Sequence, residues 1–481
     1  MPSLPHLLRN DLGGSLPTGP GQPLLSLEHV SDAHVLDAAS PARCEWIEPL
    51  GADPLWKPLL HMHRPYEAMT HWVLAAHVER LRQNPVGPWS GRPLDLLIST
   101  GDNIDNAQAN ELQTFLTILA GGSTALSARG SVHEASDELG QGPWPFWCPQ
   151  PDVADLWKPQ GYPTLPDYVA RVSASLHSRG LGFPWTSVPG NHDVLRQGTA
   201  WPNPAIEAIA VGTNKTLQRP PGFAPADPLS LFVDAPEQFS AGATRQIPPD
   251  PQRRAVDLRG WLAAHVQHGA LGLTAAHVQR GCADAVIDTE HVRIILLDTN
   301  HPGGDYQGSV GRAQLDWLDA QLAETGRTPG RLALLATHHG ADTLINHRGD
   351  DPQRLHTEAL LQVLHRHPCL VAWLGGHRHV HRVQAHPGPV PGVGGFWEIT
   401  TASLIDWPAQ TRTLELLRHA DGSIEIVCTL QDHQAPQGNL AALHHTLAQQ
   451  FAGPQAAHMQ GRPGDGSVRL LRAAAPTPAT A

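Results

Sequence analysis

The feature that most constrains this chain is a set of short apolar runs that stop abruptly on aspartate, asparagine or histidine. Nine short apolar runs read as strands, at 25–31, 94–100, 184–189, 292–298, 332–337, 370–374, 396–401, 411–417 and 423–430, and five of them lead into such residues. Several are too continuously apolar for a sheet with one wet face, so they must be covered on both sides. Helical patterns fall between them, at 65–83, 107–119, 312–324, 358–367 and 440–450. In 312–324, Leu315, Leu318 and Leu322 recur at helical spacing and Trp317 widens the stripe. Strands alternating with helices predict a layered α/β domain.

Two stretches break this rhythm. Residues 121–180 are dense in Trp and Pro, and residues 195–285 show few clear strands; loops of this length inside a domain are functional lids or partly independent subdomains. Packing onto the core is the expected role of Trp144, Trp147 and Trp157, ahead of lining a substrate pocket. The expected organisation is an N-terminal extension (1–24), one domain (25–435) carrying both insertions, and a C-terminal helix with a disordered tail (436–481).

Charge and cysteine usage narrow the class. With 33 Lys plus Arg against 45 Asp plus Glu, the net charge of −12 offers no basic field for nucleic acid. The five cysteines lie far apart without a CxxC, which fits neither a disulfide framework nor a thiolate zinc site. The first 27 residues lack the cationic start and apolar run of a signal peptide, and no stretch of 18 apolar residues occurs. The expectation is a cytoplasmic protein with no membrane partner.

The residues that follow the runs carry the chemistry. After 25–31 comes Asp32-Ala33-His34; after 94–100, Gly101-Asp102-Asn103-Ile104-Asp105; after 184–189, Gly190-Asn191-His192-Asp193. After 332–337 comes His338-His339-Gly340, and after 370–374, Gly375-Gly376-His377-Arg378-His379. In α/β sheets ligands collect beyond the carboxyl ends of the strands, so five separate runs deliver metal-capable groups to one cleft. Asp, Asn and His without Cys suit Mn, Fe or Zn. On an extended backbone, Asp32 with His34 and His377 with His379 would each share a face, and Arg378 would point away.

In this order the motifs resemble the calcineurin-like metallophosphoesterase superfamily, over about residues 25–382; the segment Ala313-Gln314-Leu315-Asp316-Trp317-Leu318 also looks like that family's helix before the third histidine motif. The resemblance implies two mixed β-sheets packed as a sandwich and flanked by helices, with a dinuclear metal centre at the strand ends. Carried over, Asp32, His34, Asp102 and His379 hold the first metal; Asp102 bridges to a second completed by Asn191, His338 and His377. His339 is the alternative to His338, and Asp105 or Asp193 would orient an imidazole from behind. The implied activity is hydrolysis of a small phosphomonoester or phosphodiester by a hydroxide bridging two metals, with His192 stabilising the transition state or protonating the leaving group.

Substrate class stays open between phosphatase and cyclic-nucleotide or glycerophosphodiester phosphodiesterase. A scaffolding protein stabilised by the metals is the non-enzymatic alternative, and a β-lactamase-type hydrolase is disfavoured because its His-x-His-x-Asp-His run is missing. His61 and His63 imitate a ligand pair but follow no apolar run and are expected in a solvated loop, Arg43 and Arg64 are expected in surface ion pairs, and His381 lies two residues past the last ligand. About 25 of the 30 histidines find no role in the sequence.

Overall fold

The computed structural model describes residues 6–14, 19–136, 142–390 and 393–474. Thirteen strands build two mixed sheets. In chain order they are β1 (Leu7–Leu12), β2 (Gln22–Val30), β3 (Leu96–Ser99), β4 (Trp185–Ser187), β5 (Ala285–Asp288), β6 (Val292–Leu296), β7 (Leu332–Ala336), β8 (Leu370–Gly375), β9 (Arg382–Val390), β10 (Val393–Thr400), β11 (Thr411–Arg418), β12 (Ile424–Gln431) and β13 (Val468–Arg472). The first sheet runs β1-β13-β12-β11-β2-β3-β4 and the second β9-β10-β8-β7-β6-β5. Every expected run lies on a strand, and the two-sheet sandwich with flanking helices is the architecture the motifs imply.

Alternation along the strands explains the layers. Val292, Ile294 and Leu296 of β6 join Leu332, Leu334 and Ala336 of β7 in the core between the sheets, together with Leu25 and Leu27 of β2. The intervening Ile295, Ala333 and Leu335 point the other way, onto α3 (Arg312–Arg327) and α4 (Thr357–Leu364), where Leu315, Leu318, Leu322 and Leu360 cover them. The second sheet is thus buried on both faces, which is why its runs read as continuously apolar. On the first sheet, α1 (Thr70–Gln83) and α2 (Ala109–Ala120) cover the outer face through Val73, Leu74, Phe115 and Leu116. A fifth helix, α5 (Leu440–Ala452), packs on Tyr66, Trp147, Trp157 and Ile405. No helix among the described residues is long and apolar enough to cross a membrane.

Both ends of the chain differ from the expected extension and tail. β1 pairs in parallel with β13, and β13 pairs antiparallel with β12, so residues 7–12 and 468–472 complete the first sheet. Residues 475–481 of the expected disordered tail lie outside the described residues. The insertion at 195–285 folds into short helices and a hairpin, and Phe232 and Phe239 pack there with Trp46 and Trp56. That packing seats the 3-10 turn Lys57–Met62 beside the strand ends. Trp147 and Trp157 are buried with Tyr162 and Tyr168, which is packing of the loop onto the core.

Candidate metal centre

Strands β2, β3 and β4 run parallel in one sheet, and β6, β7, β8 and β10 run parallel in the other. The carboxyl ends of β2, β3, β4, β7 and β8 carry the five motifs to one end of the sandwich. Asp32, His34, Asp102 and His379 lie with ligand atoms within 4.8 Å of one another. Beside them, Nε2 of His338 sits 3.0 Å from Oδ1 of Asn191, 3.2 Å from Nδ1 of His377 and 3.2 Å from Oδ2 of Asp102. The same Asp102 oxygen is 3.7 Å from Nε2 of His34, so it stands between the two groups.

The backbone that delivers these groups is not extended. Asp32, His34, Asp102, His377 and His379 all have left-handed φ, between 43° and 65°. L-residues adopt this region at a cost of roughly 1–2 kcal/mol each, and such strain collects at functional sites. The shared-face argument for the two residue pairs therefore fails: the side chains converge because each loop coils tightly. Arg378 likewise does not turn away but lines the mouth of the cavity over the site. Gly376 permits the close approach, since a Cβ there would lie 1.9 Å from Oγ of Ser31 and 2.5 Å from Oδ2 of Asp32.

Hydrogen bonds behind the ring fix three of the imidazoles. Nδ1 of His34 donates to Oδ1 of Asp105 at 3.0 Å, Nδ1 of His338 to the carbonyl of Thr100 at 2.8 Å, and Nδ1 of His379 to Oδ2 of Asp406 at 2.6 Å. A carbonyl or an ionised carboxylate only accepts, so each proton sits on Nδ1 and each Nε2 presents a lone pair. The bare Nε2 atoms of His34 and His379 then face each other at 3.3 Å, and that of His338 meets His377 at 3.2 Å. The His34–His379 pair sets acceptor against acceptor, which calls for a cation, and the donor set of Asp, Asn and His around the two points fits two. The carboxylates that would attract a cation here also draw a proton onto these Nε2 atoms in its place. Burial works against charging His338 and His379, yet the carboxylates of Asp102 and Asp32 raise both to about 9. Burial also works against ionising Asp102, but His338 beside it holds the carboxyl well below the usual carboxylate range.

The remaining candidates separate clearly. Asp105 takes the orienting place behind His34; burial disfavours its charge, and Arg43 outweighs burial and holds the carboxyl below its usual range. Asp193 does not reach an imidazole: its Oδ2 accepts from the backbone N–H of Gly190 at 2.8 Å and from Asn103. His339 falls within 4.8 Å of His338 and His377, but both its nitrogens are engaged, one with Oγ1 of Thr299 at 2.8 Å and one with the carbonyl of Tyr306 at 3.0 Å. His192 lines the cavity; its Nδ1 donates to the carbonyl of Asp105 at 2.6 Å, and burial lowers it to about 3, keeping the ring neutral.

Several residues that read as surface features are interior. Arg43 is buried between Asp105 and Glu67, and Arg64 forms a bidentate pair with Asp406 at 2.9 and 2.8 Å. His63 is buried against Glu67, and His61 lines the cavity on its 3-10 turn instead of lying in a solvated loop. His381 is buried, with Nδ1 accepting from the N–H of Ala402 and from Arg412. Asp406 escaped the sequence reading altogether; the available signal was that it follows the run at 396–401, another strand ending at the site. The cavity has a volume of about 540 Å³, with the metal-capable groups at its floor and Lys57, Tyr306 and Gln307 on its walls.

No family model matches the chain. Over 99 residues, 21% of this chain, it is 31% identical to a probable cyclic nucleotide phosphodiesterase of Synechococcus sp. (strain WH7803), and it spans 37% of the length of that relative. Among solved structures it is similar to a dimetal phosphatase from Danio rerio, with a TM-score of 0.39, 13% identity and coverage of 86% of this chain and 97% of that one. A 5'-nucleotidase from Candida albicans SC5314 is similar at a TM-score of 0.30 and 11% identity, over 94% of this chain and 59% of that one.

Proposed function

We propose that this chain is a metal-dependent phosphoesterase acting on a small phosphomonoester or phosphodiester. Asp32, His34, Asp102 and His379 would hold one cation, and Asp102, Asn191, His338 and His377 the other. The observation that carries this reading is the convergence of imidazole ring nitrogens, at 3.3 and 3.2 Å, on two points that share Asp102. Bound there, two ions of Mn, Fe or Zn would neutralise phosphoryl oxygens and acidify a water.

The chain's own residues do the rest. Nδ2 of Asn191 donates to the carbonyl of Gly198 at 2.9 Å, which turns its Oδ1 toward the site. Oδ1 of Asp102 accepts from the N–H of His192 at 2.8 Å, which tethers the short helix Asn191–Val194 to the β3 loop. That tether sets His192 on the cavity wall, where its Nε2, a bare acceptor while the ring is neutral, would first take up a proton beside a bound phosphate anion and then pass it to the leaving oxygen. A cavity of about 540 Å³ leaves room for a sizeable organic group beyond the phosphate. The name of the Synechococcus relative makes a cyclic nucleotide the first diester to try. All five cysteines are free thiols, which suits the reducing cytoplasm.

The test uses metal-stripped full chain resupplied with Mn²⁺, assayed on p-nitrophenyl phosphate, bis-p-nitrophenyl phosphate and cyclic AMP, with Asp102→Asn alongside. Turnover of at least one substrate, reduced at least 100-fold in D102N, is expected. Two bound metals with no turnover of any phosphoester would favour the scaffolding alternative, and full activity without metal would end the reading.

A further inference from the structure

Asp406 belongs to none of the metal-capable motifs, yet it stands behind one of them. Its loop leaves β10 at the same end of the sandwich as the ligand loops. Every group that touches its carboxylate is a donor. Nε of Arg64 and the hydroxyl of Tyr66 donate to Oδ1 at 2.9 and 2.8 Å, and Nη2 of Arg64 and Nδ1 of His379 donate to Oδ2 at 2.8 and 2.6 Å. The side chain is only 8% exposed. Four donors on a buried carboxylate fix it as an ionised acceptor, and His379 must then carry its proton on Nδ1.

Resting on the two-cation reading above, we propose that Asp406 is a positioning residue: it sets the tautomer and ring angle of His379 for one of the two cations. The two halves of the site are backed differently. His34 and His379 each lean on an aspartate that is itself paired with an arginine, Asp105 with Arg43 and Asp406 with Arg64. On the other side, His338 leans on the backbone carbonyl of Thr100, which no side-chain substitution removes. Loss of the Asp406 carboxylate therefore reaches the cation at Asp32, His34 and His379 and spares the one at Asn191, His338 and His377. Asn in place of Asp turns an N–H₂ toward two donors whichever way the amide faces; it either meets the N–H of His379 or leaves it a neutral carbonyl, and in both cases the charge-assisted bond to His379 is lost.

The experiment is calorimetric titration of Mn²⁺ into metal-stripped full-length chain, as wild type, D406N, H379A and the double variant. Wild type should take up two ions. D406N should weaken one of them 10- to 100-fold and leave the other within threefold, the range that such supporting contacts carry in metal sites. Because Asp406 acts through His379, adding D406N to H379A should change neither affinity more than twofold. A purely structural role predicts additive losses at both ions and an additional loss in the double variant, and that result would overturn the inference. D406N that binds both ions as wild type does would overturn it as well, while leaving the two-cation reading intact. A wild-type chain that binds no Mn²⁺ would bring down both.

Discussion

Acid should destabilise this protein through histidines outside the metal-capable cluster. His71, His133, His265 and His444 are each no more than 1% exposed. Burial, the largest cause in each case, lowers His71 and His133 to about 4 and His265 and His444 to about 3. In the unfolded chain an imidazole titrates near 6.5. Between these values the unfolded state binds protons that the folded state refuses, so stability is complete above about pH 6.5 and falls as pH drops toward 4. At pH 5.5 an unfolded imidazole is about ten-elevenths protonated, worth about 1.4 kcal/mol of unfolding per group, whether the folded value is 3 or 4. Four such groups sum to between about 5 and 6 kcal/mol, a large share of the 5–15 kcal/mol typical of folded domains.

His265 isolates one of these contributions. Its ring stacks on Trp261 at 3.6 Å and its Nδ1 donates to the Trp261 carbonyl at 2.9 Å. His265→Phe keeps a stacking ring and removes the titration. Urea unfolding of wild type and variant at pH 7.5 and 5.5 should show the pH penalty smaller in the variant by about 1.4 kcal/mol. Identical pH dependence in the two proteins, or a His265 ring that titrates near pH 6.5 by NMR in the folded chain, would refute the reasoning.

Other perturbations separate the roles assigned above. His338→Ala should lower bound metal from two ions to one by elemental analysis, whereas His339→Ala should retain both, because His339 already spends its nitrogens on Thr299 and Tyr306; the reverse pattern would exchange their roles. Arg43→Met strands Asp105 and Glu67 as buried charges, at a cost of about 3–5 kcal/mol in urea unfolding, and a loss under about 1 kcal/mol would show the pair to be dispensable. Ile294→Ala opens a void between the sheets at a fully buried position, with an expected loss of roughly 2–5 kcal/mol; a near-neutral result would mean the sheets close the gap.

What could be read in advance follows the range of the interaction. The runs around Ile294 and Leu334 announced strands because a sheet covered on both faces needs apolar residues at every position. β1 carried no such mark: Leu7 and Leu8 are exposed, Arg9, Asn10 and Asp11 are polar, and the strand exists through pairing with residues some 460 positions away. The metal-capable groups were legible because each sits directly after a strand. Asp406 was not, since its partners Arg64, Tyr66 and His379 are assembled only by the fold. Arg43 and Arg64 looked like surface charges for the same reason, their carboxylate partners being distant in the chain or drawn close only by local coiling. The surplus histidines mostly resolve into packing: neutral imidazoles such as His71 and His265 serve as core side chains, and His381 as a hydrogen-bonded peg.

The coiled backbone at Asp32, His34, Asp102, His377 and His379 has a consequence for how this centre tolerates change. At an ordinary ligand position, replacements rank by charge and by metal-binding ability. At these five a second ranking is superimposed, because Asn and Gly accept left-handed φ readily whereas Val, Ile and Thr do not. A saturation library scored for folded protein should therefore favour Asn and Gly and deplete β-branched residues at these positions, even where activity is lost in every case. At Asn191 and His338, which lack that backbone, no such bias should appear. The loops would thus leave a conformational signature on the tolerated sequences, separable from the chemistry the side chains perform.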